Sequence, residues 1–389
     1  MHSGKIVFAQ VMECLPWYQF HKSVLRYRGD YRVRRFTCLS QFHVMAFAQL
    51  TGRESLRDIV TCLQAHRSKL YHMGIRGPVR RSTLADANET RDWRIFADVA
   101  HVLIGIAKEL YADEPLGLHV TQPVYALDST TIDLCLSLFP WATFRTTKSA
   151  VKLHTLLDLR GAIPDSIWVT EASVHDVNML DRLPPHPHAI YVVDRAYLDF
   201  ARLYALHQSR ALFIVRARRH LAFRRRRSRA VDKSLGLRSD QTIVRTGFRS
   251  SRRYPASFRR ITCYDLDTRQ RVVLLTNAFD LSAATIAALY RKRWSIEIFF
   301  KWVKQHLRIK AFYGTSPNAV KTQLWIAIAT YVLVAILKKR LKLSVSLYTI
   351  LQFLSLSVFD QVPITQALAD YDYTSYDQSS DNQLWLFDL

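Results

Sequence analysis

The hydrophobic pattern of this chain changes its period near Val124, and this change constrains the fold more than any other feature. Before it, apolar residues recur at helical spacing. After it come the strand-like runs VYALDSTTIDL, VKLHTLLDL, DSIWVTEA, AIYVVDRAY and ALFIVRAR, with a short helix predicted over Phe200 to His207. From Ala283 to about Leu343 the spacing is helical again. This order predicts an α/β (α+β) fold, in which a mixed sheet is flanked by helices.

The first 115 residues are predicted to be helical. Helices are expected over Phe36 to Leu50 and over Leu56 to His66, where Ser55 is placed to cap the second helix. A further helix, capped by Ser82 or Thr83, is expected to continue to about residue 110.

Three arginines, Arg76, Arg80 and Arg81, precede that last helix. Short helices with arginines before a cap suggest a small DNA-binding domain. A plain helical bundle fits the same pattern equally well.

The chain carries a large excess of positive charge. Its 55 Lys and Arg residues outnumber 32 Asp and Glu residues, which gives a formal net charge of +23. A surplus of this size predicts a polyanionic partner, and arginine binds phosphate through a fork of donors. Arg224, Arg225, Arg226 and Arg227 follow one another directly. We expect these four residues to bind DNA, the alternative being a merely soluble basic protein.

The cysteines and the apolar runs indicate the compartment in which the protein acts. The five cysteines form no CxxC pair, which argues against a zinc site and a disulfide framework and fits a reducing cytosol. The longest apolar run, from Leu324 to Leu337, is shorter than the roughly 20 residues of a membrane helix. It is interpreted as a buried core helix, and we expect a cytoplasmic, nucleoid-associated protein with no membrane anchor.

Two aspartates lie at the ends of apolar runs. Asp128 follows VYAL, and Asp194 follows AIYVV. A carboxylate at the end of a buried strand is costly unless it is paired or binds a metal ion. Either aspartate alone would more often be a cap or half of a salt bridge, but two of them in a strongly basic chain favour a shared site.

A third acidic residue lies on a predicted helix, in YRKRWSIEIFFKWVKQHLRIK. The residues that share one face of this helix are Tyr290, Arg293, Glu297, Lys301 and Lys304. An amphipathic helix with ion pairs would show the same spacing, but exposed pairs contribute only ~0.3–0.5 kcal/mol each. We therefore interpret the cations and the tyrosine as DNA-binding residues beside a catalytic glutamate.

Asp128, Asp194 and Glu297 are the candidate catalytic residues and metal ligands. Carboxylate oxygens suit Mg²⁺, which keeps several waters and takes one or two carboxylates per ion. Two such ions ~3.5–4 Å apart can activate a nucleophile and stabilise the leaving oxygen of an in-line displacement. Asp128 is the expected bridging ligand between them.

Several residues near the same strands are weaker candidates. Glu171 and Asp133 are rival ligands. Asp176, in EASVHDVNML, could line the site or only cap the short helix that follows. Lys152 and His154 could meet phosphates, although a lysine on a strand is usually only exposed.

The chain resembles the DDE transposases of the insertion-sequence-four family at these residues. The family's late signature is Tyr, two residues, Arg, three residues, Glu, six residues, Lys, and Tyr290, Arg293, Glu297 and Lys304 match every gap. YALDSTTIDL resembles the family's first aspartate block, and YVVDRAYLDF resembles the second. The resemblance extends to FAQLTGRESLRDI, STLADANETRDWR and NAVKTQLWIAIATYVLVAILKKRL, and so to most of the chain.

The resemblance implies a ribonuclease-H-like catalytic core and a DNA-cutting activity. Such enzymes cleave at the terminal inverted repeats of their own element and insert it into target DNA, using Mg²⁺ or Mn²⁺ and no covalent enzyme–DNA intermediate. It also implies a homodimer in a synaptic complex, release of the element through a DNA hairpin, and a β-strand insertion between the second aspartate and the glutamate.

The expected organisation follows from these patterns. It comprises a helical N-terminal DNA-binding domain over 1–115, the first part of the catalytic domain over 120–218, a β-rich insertion over 219–282, the helical remainder of the catalytic domain over 283–345, and a C-terminal helical region with a polar tail over 346–389.

The hairpin step is the weaker part of this resemblance. Relatives that form hairpins stack a flipped base on an aromatic residue, typically a tryptophan in the insertion, and no tryptophan lies between Trp168 and Trp294 here. Since stacking tolerates any π face, the candidates are Phe223, Phe248, Tyr254, Phe258 and Tyr264.

Two other functions were weighed against a transposase. A non-catalytic DNA-binding regulator is disfavoured because all three carboxylates and the full helix signature are present. A ribonuclease-H-like nuclease without strand joining is disfavoured by the N-terminal helical domain and the long β insertion.

Overall fold

The computed structural model describes residues 4–134, 137–145, 148–218, 221–264, 270–305 and 312–368. Its contacts divide the chain into two compact units. Unit 1 contains Met1–Ala112 and Lys301–Leu389, and unit 2 contains Asp113–Phe300. In the sequence, unit 2 is therefore one continuous segment that interrupts unit 1.

The helices and strands of the described residues are numbered in chain order. The helices are α1 (Val7–Met12), α2 (Trp17–Arg26), α3 (Cys38–Leu50), α4 (Leu56–Ala65), α5 (Arg81–Thr90), α6 (Arg94–Leu110), α7 (Phe200–Gln208), α8 (Phe248–Arg253), α9 (Ala283–Lys292), α10 (Trp294–Gln305), α11 (Pro317–Arg340) and α12 (Leu347–Ser357). The strands are β1 (Val124–Leu134), β2 (Thr143–Arg145), β3 (Lys148–Asp158), β4 (Ile163–Glu171), β5 (Ile190–Val193), β6 (Leu212–Arg216), β7 (Phe223–Arg229), β8 (Leu237–Arg245), β9 (Phe258–Tyr264) and β10 (Arg271–Thr276).

The predicted helix starts in unit 1 are partly confirmed. The hydroxyl of Ser55 accepts the Asp58 N–H at 3.1 Å and begins α4, as expected for a serine cap. The single helix predicted from residue 82 to residue 110 is wrong, because Arg91 is extended and ends α5. The carboxylate of Asp92 then accepts the Arg94 N–H at 2.9 Å, and α6 starts anew.

Helix α11 forms the centre of unit 1. It is long and apolar enough to cross a membrane by composition, but 94% of that apolar window is buried inside the structure. Its buried residues occupy every side of the helix, and one of them, Thr330, satisfies its hydroxyl by donating to the Ile326 carbonyl at 2.8 Å. The predicted core helix is confirmed, since a helix that is apolar all round requires neighbours on every side.

The sheet of unit 2 confirms the predicted ribonuclease-H-like core. β3 lies between β4 and β1 and is antiparallel to both, and β5 and β6 then follow in parallel to β1. The five strands thus have the order 3-2-1-4-5, with only the second running against the rest. An apolar core that includes Tyr191, Val193, Leu203, Phe213 and Val215 packs α7 against β5 and β6.

The strands of residues 219–282 continue this sheet. β10 pairs antiparallel with β6, and β9, β8 and β7 follow outward in that order. A buried ion pair joins two of them, since the guanidinium of Arg259, 1% exposed, donates to both carboxylate oxygens of Asp240 at 3.2 and 2.6 Å. Arg259 also donates to the carbonyls of Ala278 and Leu281, which precede α9.

Candidate active site

The sheet register brings the two candidate aspartates to the same level. Leu127 on β1 pairs with Val193 on β5, and Asp128 and Asp194 are the residues that follow them. The strand-like run VYALDSTTIDL is confirmed as β1, which continues to Leu134 along β3, so the expectation that Asp128 lies at a strand end is wrong and Asp128 lies within the strand. Asp128 nevertheless lies just beyond the last residue pair between β1 and β5. Asp128 and Asp194 therefore lie at the same edge of the parallel part of the sheet.

The helix that carries the third carboxylate is broken at Arg293. Arg293 ends α9, its N–H donating to the Tyr290 carbonyl at 3.2 Å, and α10 begins at the next residue. Glu297 lies in the first turn of α10. The predicted single helix face is therefore divided between two successive helices.

Side-chain hydrogen bonds join these residues across the sheet and the helices. The guanidinium of Arg293 donates to Asp128 Oδ2 at 3.0 Å and to Glu297 Oε1 at 2.6 Å. The Tyr290 hydroxyl donates to Asp194 Oδ1 at 3.2 Å. Three carboxylates separated by up to 169 positions in the sequence thus converge on one arginine and one tyrosine.

Burial makes the charge of Asp128 expensive. Burial is the main cause that raises the pKa of Asp128 to about 6, and the neighbouring carboxylates of Glu297 and Asp194 add to it. The Ser129 N–H and the Arg293 guanidinium act in the opposite direction by stabilising the carboxylate. Such a group is a candidate functional residue, because a cation placed beside it would relieve both effects.

A polar cluster supports β1 behind Asp128. The Ser129 hydroxyl donates to Asp176 Oδ1 at 2.6 Å, and Lys152 Nζ lies 3.2 Å from the same oxygen. His154 is fully buried, its Nε2 lies 2.9 Å from the Thr170 hydroxyl, and burial lowers its pKa to about 4. Asp176 thus holds the residue next to Asp128, a role that the sequence did not indicate.

The carboxylate donors of this site suit a divalent cation. Within the part of the chain that the structure describes, no three His, Cys, Asp or Glu side chains are arranged to hold a metal ion. Three carboxylates are hard oxygen ligands of the kind that Mg²⁺ and Mn²⁺ prefer. The positive charge that balances Asp128 and Glu297 here is the Arg293 guanidinium, which spans them.

The other predicted site residues occupy different places. Lys301 and Lys304 lie on α10 beyond Phe300 and belong to unit 1. The rival ligands Glu171 and Asp133 are exposed on their strands.

The arginine tract of residues 224–227 forms an edge strand. All four arginines are exposed on β7, and the pairing with β8 is irregular between Arg225 and Arg227. Runs of like charge are commonly solvated loops. Here pairing with β8 holds the four arginines in a strand.

A cavity that the sequence did not reveal has Arg195, the residue after Asp194, in its lining. It has a volume of about 460 Å³. Its charged lining consists of Arg195, Arg216, Arg218, Arg260 and Arg271. These arginines are scattered over four segments of the sequence, and only the sheet brings them together.

Phe223 is the aromatic residue of this cavity. Its ring packs against the Arg260 guanidinium at 5.1 Å. Tyr254 and Phe258 are each 1% exposed, which excludes them as surfaces for a flipped base. Phe248 and Tyr264 are exposed, and each packs against an arginine, Arg252 and Arg238 respectively.

Comparisons with known proteins identify the family. A family model described as a transposase DDE domain matches residues 120–333, and a domain of unknown function, DUF4372, matches residues 3–76. The chain is 30% identical over 256 residues to a protein described as transposase y4zB of Sinorhizobium fredii, covering 65% of this chain and 70% of that one. It is 30% identical over 220 residues to a protein described as the transposase for insertion sequence element IS5377 of Geobacillus stearothermophilus, covering 56% and 57%.

A more distant relative and one solved structure complete the comparison. The chain is 22% identical over 284 residues to a protein described as the transposase for insertion sequence element IS4SA of Synechocystis, covering 70% of this chain and 76% of that one. A structure of the piggyBac transposase synaptic complex with hairpin DNA shares 9% identity at a TM-score of 0.47, over 96% of this chain and 83% of that chain.

The chain therefore belongs to the transposase DDE domain family. It is a DNA transposase, an enzyme that cleaves and transfers DNA strands, and its family uses divalent metal ions.

Proposed function

We propose that this transposase moves an insertion sequence by a cut-and-paste route in which Asp128, Asp194 and Glu297 hold two Mg²⁺ or Mn²⁺ ions. The observation that supports this proposal is the convergence of the three carboxylates, two of them on Arg293 and the third on Tyr290. When bound, such ions activate the attacking water or 3′-hydroxyl and stabilise the leaving oxygen of an in-line displacement.

Asp128 is the proposed bridging carboxylate. Its side chain is 22% exposed, the side chain of Glu297 is 33% exposed, and the carboxylates of both Glu297 and Asp194 raise the pKa of Asp128. A group that faces two other carboxylates and is poorly hydrated has the most to gain from two cations.

Arg293 has two roles in this proposal. In the absence of DNA its guanidinium balances Asp128 and Glu297. A DNA phosphate offers two oxygen acceptors to a guanidinium, so Arg293 can exchange a carboxylate for a phosphate when the scissile strand enters. Tyr290 holds Asp194 and can donate its hydroxyl to a phosphate in the same exchange.

The proposed partners are the terminal inverted repeats of the element and the target DNA. The residues proposed to bind DNA are Tyr290, Arg293, Lys301, Lys304, Arg224, Arg225, Arg226 and Arg227. We further propose a homodimer that synapses two ends, as in the insertion-sequence-four family, and a site of action on cytoplasmic, nucleoid-associated DNA.

The cavity lined by five arginines and Phe223 is relevant to the proposed hairpin step, because that step requires an aromatic residue on which a base can stack. Phe223 is half-buried, packs against the Arg260 guanidinium and shares the cavity with Arg195, which follows the candidate catalytic Asp194 in the sequence. Stacking on an aromatic face stabilises a base by ~1–3 kcal/mol regardless of its identity. Phe223 is therefore the proposed base-stacking residue if a hairpin is formed.

Cleavage of labelled duplexes that carry the element's ends tests this proposal. We expect nicking that requires Mg²⁺ or Mn²⁺ and that disappears in Asp194→Ala while binding to the ends persists. Asp133→Ala, which removes an exposed aspartate from β1, is the matched control and should cleave normally.

Two other outcomes would favour the alternatives. Binding to the ends without cleavage in any metal would indicate a DNA-binding regulator. Cleavage with no preference for the ends, and without strand joining, would indicate a nuclease.

A further inference from the structure

Residues 27–36, between α2 and α3, form a loop that is dense in arginine. Within it, Arg28, Arg32, Arg34 and Arg35 are all exposed. Asp30 is the one acidic residue of the loop, and its carboxylate is used within the fold, since Oδ1 accepts the Cys38 N–H at 2.7 Å. We call these ten residues the arginine loop.

The arginine loop is fixed to the helices around it. A methyl group at Gly29 would lie 2.4 Å from the side chain of Ile95 and 2.6 Å from that of Cys38, so the backbone approaches these core residues closely. At the far end, Arg91 donates to the Phe36 carbonyl and packs over its ring. The loop therefore presents its arginines from a rigid base.

Backbone strain occurs at two of the arginines. Arg28 and Arg32 have φ values of +53° and +59°, in the left-handed region that residues other than glycine rarely adopt. Such conformations persist where the surrounding contacts impose them, and they concentrate at functional sites. Between the two strained arginines lie Gly29, whose backbone closely approaches the core, and Asp30, which accepts the Cys38 N–H.

A groove of about 860 Å³ separates the arginine loop from α5. Arg28, Arg34 and Arg35 line one side of it. The other side includes Thr83, Asp86 and Thr90 of α5, and Asp92, whose carboxylate is paired with Arg94. Thr83 and Thr90 lie on one face of α5. The groove thus combines guanidinium donors with small polar side chains and two carboxylates, one of which Arg94 neutralises.

We propose that this groove docks duplex DNA, with Arg28, Arg34 and Arg35 bound to backbone phosphates and the exposed face of α5 directed toward the bases. The proposal rests on the proposed function, which supplies DNA as the substrate. Guanidinium groups bind phosphate oxygens in pairs, and hydroxyl side chains on a helix can bind base edges. A rigid loop suits this role because little side-chain and backbone freedom is lost on binding.

Fluorescence anisotropy of labelled end duplex with the full-length protein in EDTA tests the proposal, since binding is then measured without catalysis. Replacing Arg28, Arg34 and Arg35 together by Gln should weaken binding on the order of 10–100-fold at moderate salt. It should also reduce the slope of log K against log salt concentration by about 2–3, because each phosphate contact contributes about 0.9.

The matched control removes three exposed cations elsewhere in unit 1. Arg57, Arg67 and Lys342 replaced together by Gln lower the net charge equally, and this variant should keep most of the affinity and the slope. Replacing the three loop arginines by Lys should restore the slope but only part of the affinity, since the two-donor fork is lost.

Three outcomes separate this proposal from the proposed function. Equal loss of slope in the loop variant and the control variant would overturn the groove as a docking site. Unchanged binding in the loop variant would overturn it too, while leaving metal-dependent cleavage as a separate result. If the wild-type protein bound no duplex at all, the proposed function would fail and the groove proposal with it.

Discussion

Replacing Asp128 by Asn should stabilise the metal-free protein while abolishing cleavage. The pKa of Asp128 is raised from 3.8 to about 6, and its side chain is 22% exposed. At pH 8 the ionised carboxylate therefore destabilises the folded state by about 3 kcal/mol. Asn removes the charge but also weakens the bond to Arg293, so we expect a net gain of about 1–3 kcal/mol.

The stability difference between Asp128→Asn and the wild-type protein should depend on pH. Below pH 3.8 the carboxyl is protonated in both the folded and the unfolded state, and the penalty is absent. As the pH rises toward 6, the unfolded state releases its proton first, so the wild-type protein loses stability relative to the variant. The advantage of Asp128→Asn should thus be full at pH 8 and should shrink toward zero near pH 4.

Thermal unfolding in EDTA at these two pH values measures the effect. For a unit the size of unit 2, about 1 kcal/mol corresponds to ~2–4 °C, so a gain of about 1–3 kcal/mol should raise the melting temperature of the variant by about 2–12 °C at pH 8. Asp133→Asn, at an exposed position of the same strand, should change the melting temperature little. Destabilisation by Asp128→Asn at pH 8, or a gain that is equal at both pH values, would show that burial of the Asp128 charge does not destabilise the folded protein.

Three further substitutions test other parts of the structure. Arg259→Leu leaves a buried carboxylate without its partner and should destabilise the protein by about 3–5 kcal/mol in chemical denaturation; a loss under about 1 kcal/mol would contradict the buried pair. Gly29→Ala forces a methyl group against Ile95 and should cost about 1–3 kcal/mol by the same measurement, whereas an unchanged midpoint would show that the loop is not pinned there. Asp176→Ala removes the acceptor of the Ser129 hydroxyl and the charge next to Lys152, so cleavage should fall with end binding unchanged in a filter-binding assay, and full cleavage would remove Asp176 from the support of β1.

Local patterns in the sequence predicted the elements well because each depends on neighbours in the chain. The apolar runs around Asp128 and Asp194 are strands, and the serine at position 55 caps its helix. The spacing of Tyr290, Arg293 and Glu297 also predicted that their side chains share one face. In the structure Arg293 donates to Glu297 and to Asp128, and Tyr290 donates to Asp194.

What the sequence could not predict depends on contacts between distant segments. The position of Asp128 within β1, where the pairing with β5 stops and that with β3 continues, depends on neighbouring strands that the pattern of β1 alone does not show. The tract of residues 224–227 becomes a strand because β8 is available to pair with it. The arginine-lined cavity at Arg195 and the polar cluster at Asp176 are formed by residues from distant segments. They can be located only when the sheet register is known.

Anomalous diffraction from crystals of the protein with its end DNA and Mn²⁺ would locate the proposed metal ions. We expect two Mn²⁺ peaks held by Asp128, Asp194 and Glu297, with the Arg293 guanidinium moved from a carboxylate to a DNA phosphate. Crystals in which Mn²⁺ binds elsewhere, while Arg293 still spans Asp128 and Glu297 with DNA bound, would contradict this expectation.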